Sequence, residues 1–279
     1  DAMVGDLYRI DYRACEAMIH DAPRRRVGGI PMGCFLLATR LVPGDKPRVD
    51  DEVLDIATGT GLAAILTARI VGPNGRVVGV DISQGMLDRA KVAIESEGLK
   101  NIELVAADAE ALSYPANSFN VVLCVSALPY MTDVPTALRL WHGMLKSGGR
   151  LAFNCWSETS YVSGYIMRIV ATRHGIKMPI TSEATGTPER CCAILTDAGF
   201  VDTEVVVEPS GHFVAVEQVE KDWDTWIKNT AFLPRNSDDA KRLTGLRGEY
   251  MAEARKRATE NGIWDEMTAY FVAGTKSAS

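Results

Sequence analysis

Two acids and two glycines carry the most readable chemistry of this chain. In Val53-Leu54-Asp55-Ile56-Ala57-Thr58-Gly59-Thr60-Gly61 an apolar run containing a carboxylate breaks into a glycine turn, and a helical pattern follows. Lacking a Cβ, Gly59 and Gly61 let the backbone turn sharply and approach a ligand where another side chain would collide. About 20 residues further on, where a dinucleotide-binding unit places its acceptor for the ribose hydroxyls, the apolar run Arg76-Val77-Val78-Gly79-Val80-Asp81 also ends in a carboxylate. Two strand ends therefore converge on one ligand. The chain lacks the Gly-Lys-Ser/Thr of a P-loop, and Gly61 is followed by Leu62-Ala63-Ala64 rather than by a third spaced glycine. The pattern fits a nucleoside-like ligand without a pyrophosphate.

Elements must bring these positions together, and the pattern from Val53 to Trp156 supplies them. A strand, a helix over Leu62 to Val71, a strand, a helix over Gln84 to Glu97 and a further strand are followed by a strand over Asn120 to Val125, a helix and a strand. Such alternation specifies an α/β fold, a parallel sheet with helices on both faces. Ser83 is placed to cap the second helix and Gly98 to end it. Beyond the core, Thr187-Pro188-Glu189 opens a helix that runs through Ala198 to Gly199, and Val205 to Val207 and Tyr270 to Ala273 read as strands.

Three segments lie outside that core. Residues 1–45 contain Tyr8, Tyr12, Met18 and His20 in a helical stretch. After Trp156, Tyr161, Val162, Tyr165, Ile166, Ile169 and Val170 recur at helical spacing, and a third segment carries Trp223, Trp226, Phe232 and a helix with Leu243, Leu246 and Tyr250. Each stripe is either core or a wall of a ligand pocket. Ligands of open α/β sheets bind beyond the carboxyl edge of the strands, so a helical lid is expected from these pieces. The expected organisation is one domain: a lid over 1–45, a cofactor-binding core over 46–156, and acceptor lid plus final strands over 157–279.

A formal charge of -6 argues against a general nucleic-acid binder, and the triplet Arg24-Arg25-Arg26 reads as a solvated helix end rather than a phosphate patch. With no bilayer-length apolar stretch and no signal-peptide pattern, a soluble, cytoplasmic protein without membrane insertion is expected. The chain begins at Asp1 without a methionine, so an upstream segment stays open. Cys15, Cys34, Cys124, Cys155, Cys191 and Cys192 include no Cys-x-x-Cys, and neither a disulfide framework nor a metal site is expected.

Five segments together resemble the class I S-adenosylmethionine-dependent methyltransferases, nearest to the small-molecule enzymes of the ubiquinone/menaquinone biosynthesis type. They are Val53 to Gly61, Gly79 to Ser83, Val105 to Glu110, Ser118 to Cys124, and Met144 to Leu151, in the family's order and spacing. The resemblance covers roughly residues 50–156 and implies a Rossmann-like, seven-stranded, mostly parallel sheet closed by an antiparallel pair. S-adenosylmethionine is the implied cofactor. Asp55, Gly59 and Gly61 are assigned by it to the methionine end, Asp81 to the ribose hydroxyls, Ile82 to one adenine face with Met86 covering the ring, and Asp108 with Ala109 to the adenine edge. Ala57 stands where a first glycine is more usual, and Ser126, just beyond the fourth strand, completes the candidate set.

The catalytic candidates are His20 and Tyr130. Relatives that methylate oxygen often carry a histidine in the loop where this chain has Tyr130, which leaves Tyr130 to orient an acceptor hydroxyl or to wall the pocket. His20, in the expected N-terminal lid, is a candidate base near neutral pH. His142, His174, His212 and Glu158 are weaker candidates, and transfer by proximity alone stays open. The expected reaction is methylation of a small, partly apolar metabolite, oxygen slightly ahead of carbon or nitrogen. A relative that cyclises or methylates arsenite, and a non-catalytic cofactor-binding regulator, remain alternatives; the oligomeric state is not legible.

Overall fold

The structure, a computed structural model, describes residues 26–27, 30–31, 47–178, 182–228, 233–234 and 236–278. His20, Tyr8, Tyr12, Met18, Phe232, Cys15, Cys34, Arg24 and Arg25 lie outside the described residues. The first elements are β1 (Glu52–Ile56), α1 (Leu62–Val71), β2 (Arg76–Asp81), α2 (Gln84–Ser96), β3 (Ile102–Ala106) and β4 (Phe119–Cys124). Next come α3 (Val134–Met144), β5 (Leu145–Trp156), α4 (Val162–Arg173), α5 (Pro188–Asp197) and β6 (Phe200–Glu208). The chain ends through β7 (Gly211–Val214), α6 (Val216–Lys228), α7 (Ser237–Thr244), α8 (Arg247–Lys256), β8 (Ile263–Glu266) and β9 (Ala269–Lys276). Ahead of β1, Arg26–Val27 and Ile30–Pro31 pair as a two-residue antiparallel ladder.

Two compact units emerge. The described part of one comprises residues 26–27, 30–31, 47–157, 182–208 and 269–278, and that of the other 158–178 and most of 209–268. In the first, seven strands lie in the order β3-β2-β1-β4-β5-β9-β6. The strands from β3 to β5 are parallel, and β9 runs antiparallel to both β5 and β6. The alternating pattern predicts the parallel part of this sheet, and the Rossmann-like seven-stranded form with its antiparallel closure is the one the resemblance implies. Strand periodicity sorts β1 between two layers. Leu54 and Ile56 join a cluster with Val78, Val122, Leu138, Trp141 and Phe153, while Val53 packs with Ala64, Ala68, Val71 and Val121 on the other face. Each such aliphatic side chain removed from water contributes about 1.5–3 kcal/mol. Asp55, two residues after Val53, shares the α1 face.

The second unit has its own core, formed by Ile166, Met167, Val170, Val219, Trp223, Leu243, Tyr250 and Ala254. The Tyr250 hydroxyl donates to the Val219 carbonyl at 3.0 Å, and buried Glu253 pairs with Arg173 at 2.8 Å. The apolar stripe after Trp156 is thus packed within this unit. Tyr161 departs from that stripe: it precedes α4 at φ 63°, exposed, with its amide donating to the Glu266 carbonyl at 3.1 Å. The single helix expected over Leu243, Leu246 and Tyr250 is two, α7 and α8, because the chain bends at Gly245, where helix propensity is poor.

Candidate functional site

After Ile56 the backbone enters the left-handed region three times, at Ala57 (φ 52°), Gly59 (φ 57°) and Gly61 (φ 80°), before α1 starts. Alanine at the first of these is strained, whereas glycine at the others is not. Gly61 has a second reason to lack a side chain, since a Cβ there would lie 3.0 Å from Ala90 Cβ of α2. At Gly59 nothing among the described residues lies closer than 4.0 Å to such an atom.

Asp81 joins the turn to the end of β2. Its Oδ2 accepts from the Gly59 amide and its Oδ1 from the Ser83 amide, both at 2.8 Å. Each oxygen keeps a lone pair for a further donor. Ser83 caps α2, its hydroxyl accepting from the Met86 amide. Next to Asp81, Ile82 is 65% exposed and Met86 half-buried. A large aliphatic side chain standing in water beside an anchored carboxylate suits one face of a planar ring.

The loop after β3 is fastened by interactions across the fold. The Ala107 amide donates to the Asp81 carbonyl at 3.1 Å, and the Trp141 indole donates to the Ala109 carbonyl at 2.9 Å. Exposed Asp108 accepts from the Glu110 amide at 2.8 Å, within its own turn. Glu110 in turn accepts from the amides of Thr132 and Asp133, both at 2.8 Å, tying this loop to the one after β4. In that second loop Ser126 sits at φ 55°. Its amide donates to Asn154 Oδ1 at 2.6 Å, and Asn154 Nδ2 donates back to its hydroxyl at 3.0 Å. Tyr130 follows on a single 3-10 turn over Leu128–Tyr130, 47% exposed. The roles of Thr58, Gly79, Glu110 and Asn154 are not legible from sequence, because each acts through a partner on another element.

Asp55 is the electrostatic centre of the site. Fully buried, it accepts at Oδ2 from the Thr58 hydroxyl at 2.6 Å; among the described residues Oδ1 has no partner in hydrogen-bond geometry, although the Ala64 amide lies near the carboxylate. Burial pushes its pKa up to about 7; the Thr58 hydrogen bond and the Ala64 amide pull the other way, and the Asp81 charge adds to the rise. The neighbouring Cys124 thiol is raised too, by burial and by the negative charge of Asp55. An orphaned buried carboxylate oxygen calls for a donor. An amino-acid ammonium at Asp55, ribose hydroxyls at Asp81 and a purine against Ile82 meet the three unsatisfied features of this site together, and S-adenosylmethionine carries all three groups.

The remaining candidates fall elsewhere. His142 packs edge-on against Phe200, and burial lowers its pKa. His174, which showed no partner in sequence, pairs with Glu249 at 2.9 Å, and Glu158 is exposed in the helical unit. His212 lies opposite Asp265 on the β7–β8 ladder. Of the thiols, Cys155 approaches Cys191, with 3.6 Å between the buried sulfurs. Among the described residues no group of three His, Cys, Asp or Glu side chains could hold a metal ion, and no helix is long and apolar enough to cross a membrane.

Comparison with known proteins agrees with this geometry. Residues 53–149 match the family described as "Methyltransferase domain". Aklanonic acid methyltransferase DauC of Streptomyces sp. (strain C5) is 37% identical over 123 residues, 44% of this chain and 54% of that protein. The ubiquinone/menaquinone biosynthesis C-methyltransferase UbiE of Hahella chejuensis is 44% identical over 105 residues, 37% of this chain and 42% of that protein. The matched segment thus spans about half the length of these relatives, or less. Among solved structures, the YcgJ protein from Bacillus subtilis aligns with a TM-score of 0.57 at 19% identity, covering 88% of this chain and 99% of that one, a likeness of fold. Residues 53–149 thus match a methyltransferase domain, and the curated relatives that share this segment are methyltransferases.

Proposed function

We propose that the protein transfers the methyl group of S-adenosylmethionine to a small, partly apolar metabolite. The observation that carries the reading is the convergence of Asp55, whose buried Oδ1 has no hydrogen-bond partner among the described residues, and Asp81, anchored to the Gly59 amide, on one glycine turn. The bound cofactor supplies a sulfonium-activated methyl group, which needs little further activation. The task left to the chain is alignment and exclusion of water. Asp55 and Asp81 hold the two polar ends of the ligand, Ile82 and Met86 cover the base, and Asp108 with Ala109 meets its edge. The hydrogen-bonded loops around Glu110 and Asn154 keep Ser126 and Tyr130 in fixed places.

Oxygen is the proposed accepting atom, ahead of carbon and nitrogen, because Tyr130 offers a hydroxyl to orient an acceptor hydroxyl; the C-methyltransferase among the relatives supports carbon. His20 is the proposed base. His20→Ala should cost about 10²- to 10⁴-fold in turnover, and Tyr130→Phe less, with cofactor affinity intact in both. If both variants keep full activity, transfer proceeds by proximity alone. The test of the function itself is incubation of the protein with methyl-labelled cofactor and a metabolite extract. Labelled product and S-adenosylhomocysteine should appear in equal amounts; cofactor binding with no transfer to any extract component would reject the reaction.

A further inference from the structure

Thr58 is the one side chain of the glycine turn that reaches the buried acid beneath it. Its amide donates to the Val80 carbonyl at 2.9 Å and its hydroxyl to Asp55 Oδ2 at 2.6 Å. The neighbouring strand makes room for it. At Gly79 a Cβ would meet Cγ2 and Oγ1 of Thr58 at 3.0 Å, so Gly79 and Thr58 are complementary in shape. A β-branched side chain held on both sides keeps a single rotamer.

We propose that Thr58 is a positioning residue for the amino-acid end of the cofactor: its hydroxyl occupies one oxygen of Asp55 and fixes the carboxylate, leaving Oδ1 to accept from the ligand's ammonium. The inference rests on the methyltransferase reading above. An ammonium binds the ionised acid, so the charge state of Asp55 governs affinity. The groups that bear on it are Asp81 at the end of β2, Cys124 at the end of β4, the Ala64 amide in the first turn of α1, and Thr58 itself. Burial and Asp81 favour the neutral acid; Thr58 and Ala64 favour the carboxylate. Without the Thr58 hydroxyl the balance moves toward the neutral acid, and more ligand affinity is lost at low pH than at high pH. A hydroxyl with a merely structural role would change affinity by the same factor at every pH.

The test is calorimetric titration of the full chain with S-adenosylhomocysteine between about pH 6 and 8, in buffers of different ionisation enthalpy, which yields affinity and protons released together. The wild type should release a fraction of a proton per ligand that grows as pH falls through about 7. Thr58→Val, which keeps the branched shape, should release closer to one, with its affinity profile displaced upward by about one pH unit; Thr58→Ser should return to wild-type behaviour. Gly79→Ala presses on the same side chain from β2 and should displace the profile in the same direction, which serves if Thr58→Val does not fold. Thr58→Val or Gly79→Ala with unaltered proton release and an unaltered pH profile overturns the positioning role, whatever its affinity at one pH. A wild-type chain that binds no S-adenosylhomocysteine at any pH overturns the methyltransferase reading itself, and this inference with it.

Discussion

Asp55 holds more protons in the folded chain than in the unfolded one, because burial lifts its pKa from 3.8 to about 7. The sign of the stability effect follows. Between about pH 4 and pH 7 the unfolded state has the less protonated acid, so folding stability falls as pH rises through that window and levels off above it. Asp55→Asn removes this titration. The variant should gain stability relative to the wild type from pH 4 to pH 7, by on the order of 1–4 kcal/mol, while losing S-adenosylhomocysteine binding. Urea denaturation at a series of pH values reads the difference; parallel pH dependence in the two proteins contradicts it. Asp55 and Asp81 stood out in sequence because one lies within and the other ends a short apolar run, at a spacing that suits a nucleoside site. Thr58 and Gly79 were not, since their fit is made across two strands that only the sheet brings together.

Elements are held by the same few residues that shape the site. Gly61 lies at φ 80° with α2 only 3.0 Å from where its side chain would begin. Gly61→Val combines a forbidden backbone conformation with overpacking and should cost about 2–4 kcal/mol, visible as a lower urea midpoint at unchanged slope. A midpoint equal to that of the wild type would show that α1 and α2 can separate freely. Asn154 does for the loop after β4 what Gly61 does for the turn after β1. Asn154→Ala strands the half-buried Ser126 amide, at about 1 kcal/mol, and amide exchange over residues 126–131 should quicken while β1 and β4 stay protected. Unchanged exchange in that loop would remove Asn154 from its support. The bounds of α1, the Ser83 cap and the stop at Gly98 were readable because they depend on local chemistry. The Asn154–Ser126 and Glu110–Thr132 links span 28 and 22 residues, and no local pattern announces them.

At the scale of the whole molecule the two compact units carry opposite acid responses. In the helical unit Arg173 and Arg257 hold Glu253 down to about 2, so that pairing stabilises above about pH 4.5 and is lost as pH falls toward 2. Acidification should therefore loosen the helical unit, read by emission from buried Trp223, and Glu253→Gln should flatten that transition; an identical acid profile in the variant contradicts it. The stripes at Tyr161 to Val170 and Leu243 to Tyr250 showed helices in the sequence but not what they cover, because apolar periodicity is the same for a core and for a ligand wall. Val162, Ile166, Val170, Leu243 and Tyr250 from these stripes lie in the core of this second unit. The proposed cofactor site, by contrast, draws its residues from the first unit and can be tested directly. Calorimetric titration with S-adenosylhomocysteine should show one site per chain, and Asp81→Ala should weaken it by on the order of 1.5–3 kcal/mol through the lost charge-assisted hydrogen bonds to the ribose. No binding by the wild-type chain, or equal affinity in Asp81→Ala, would contradict the assignment of this site to S-adenosylmethionine.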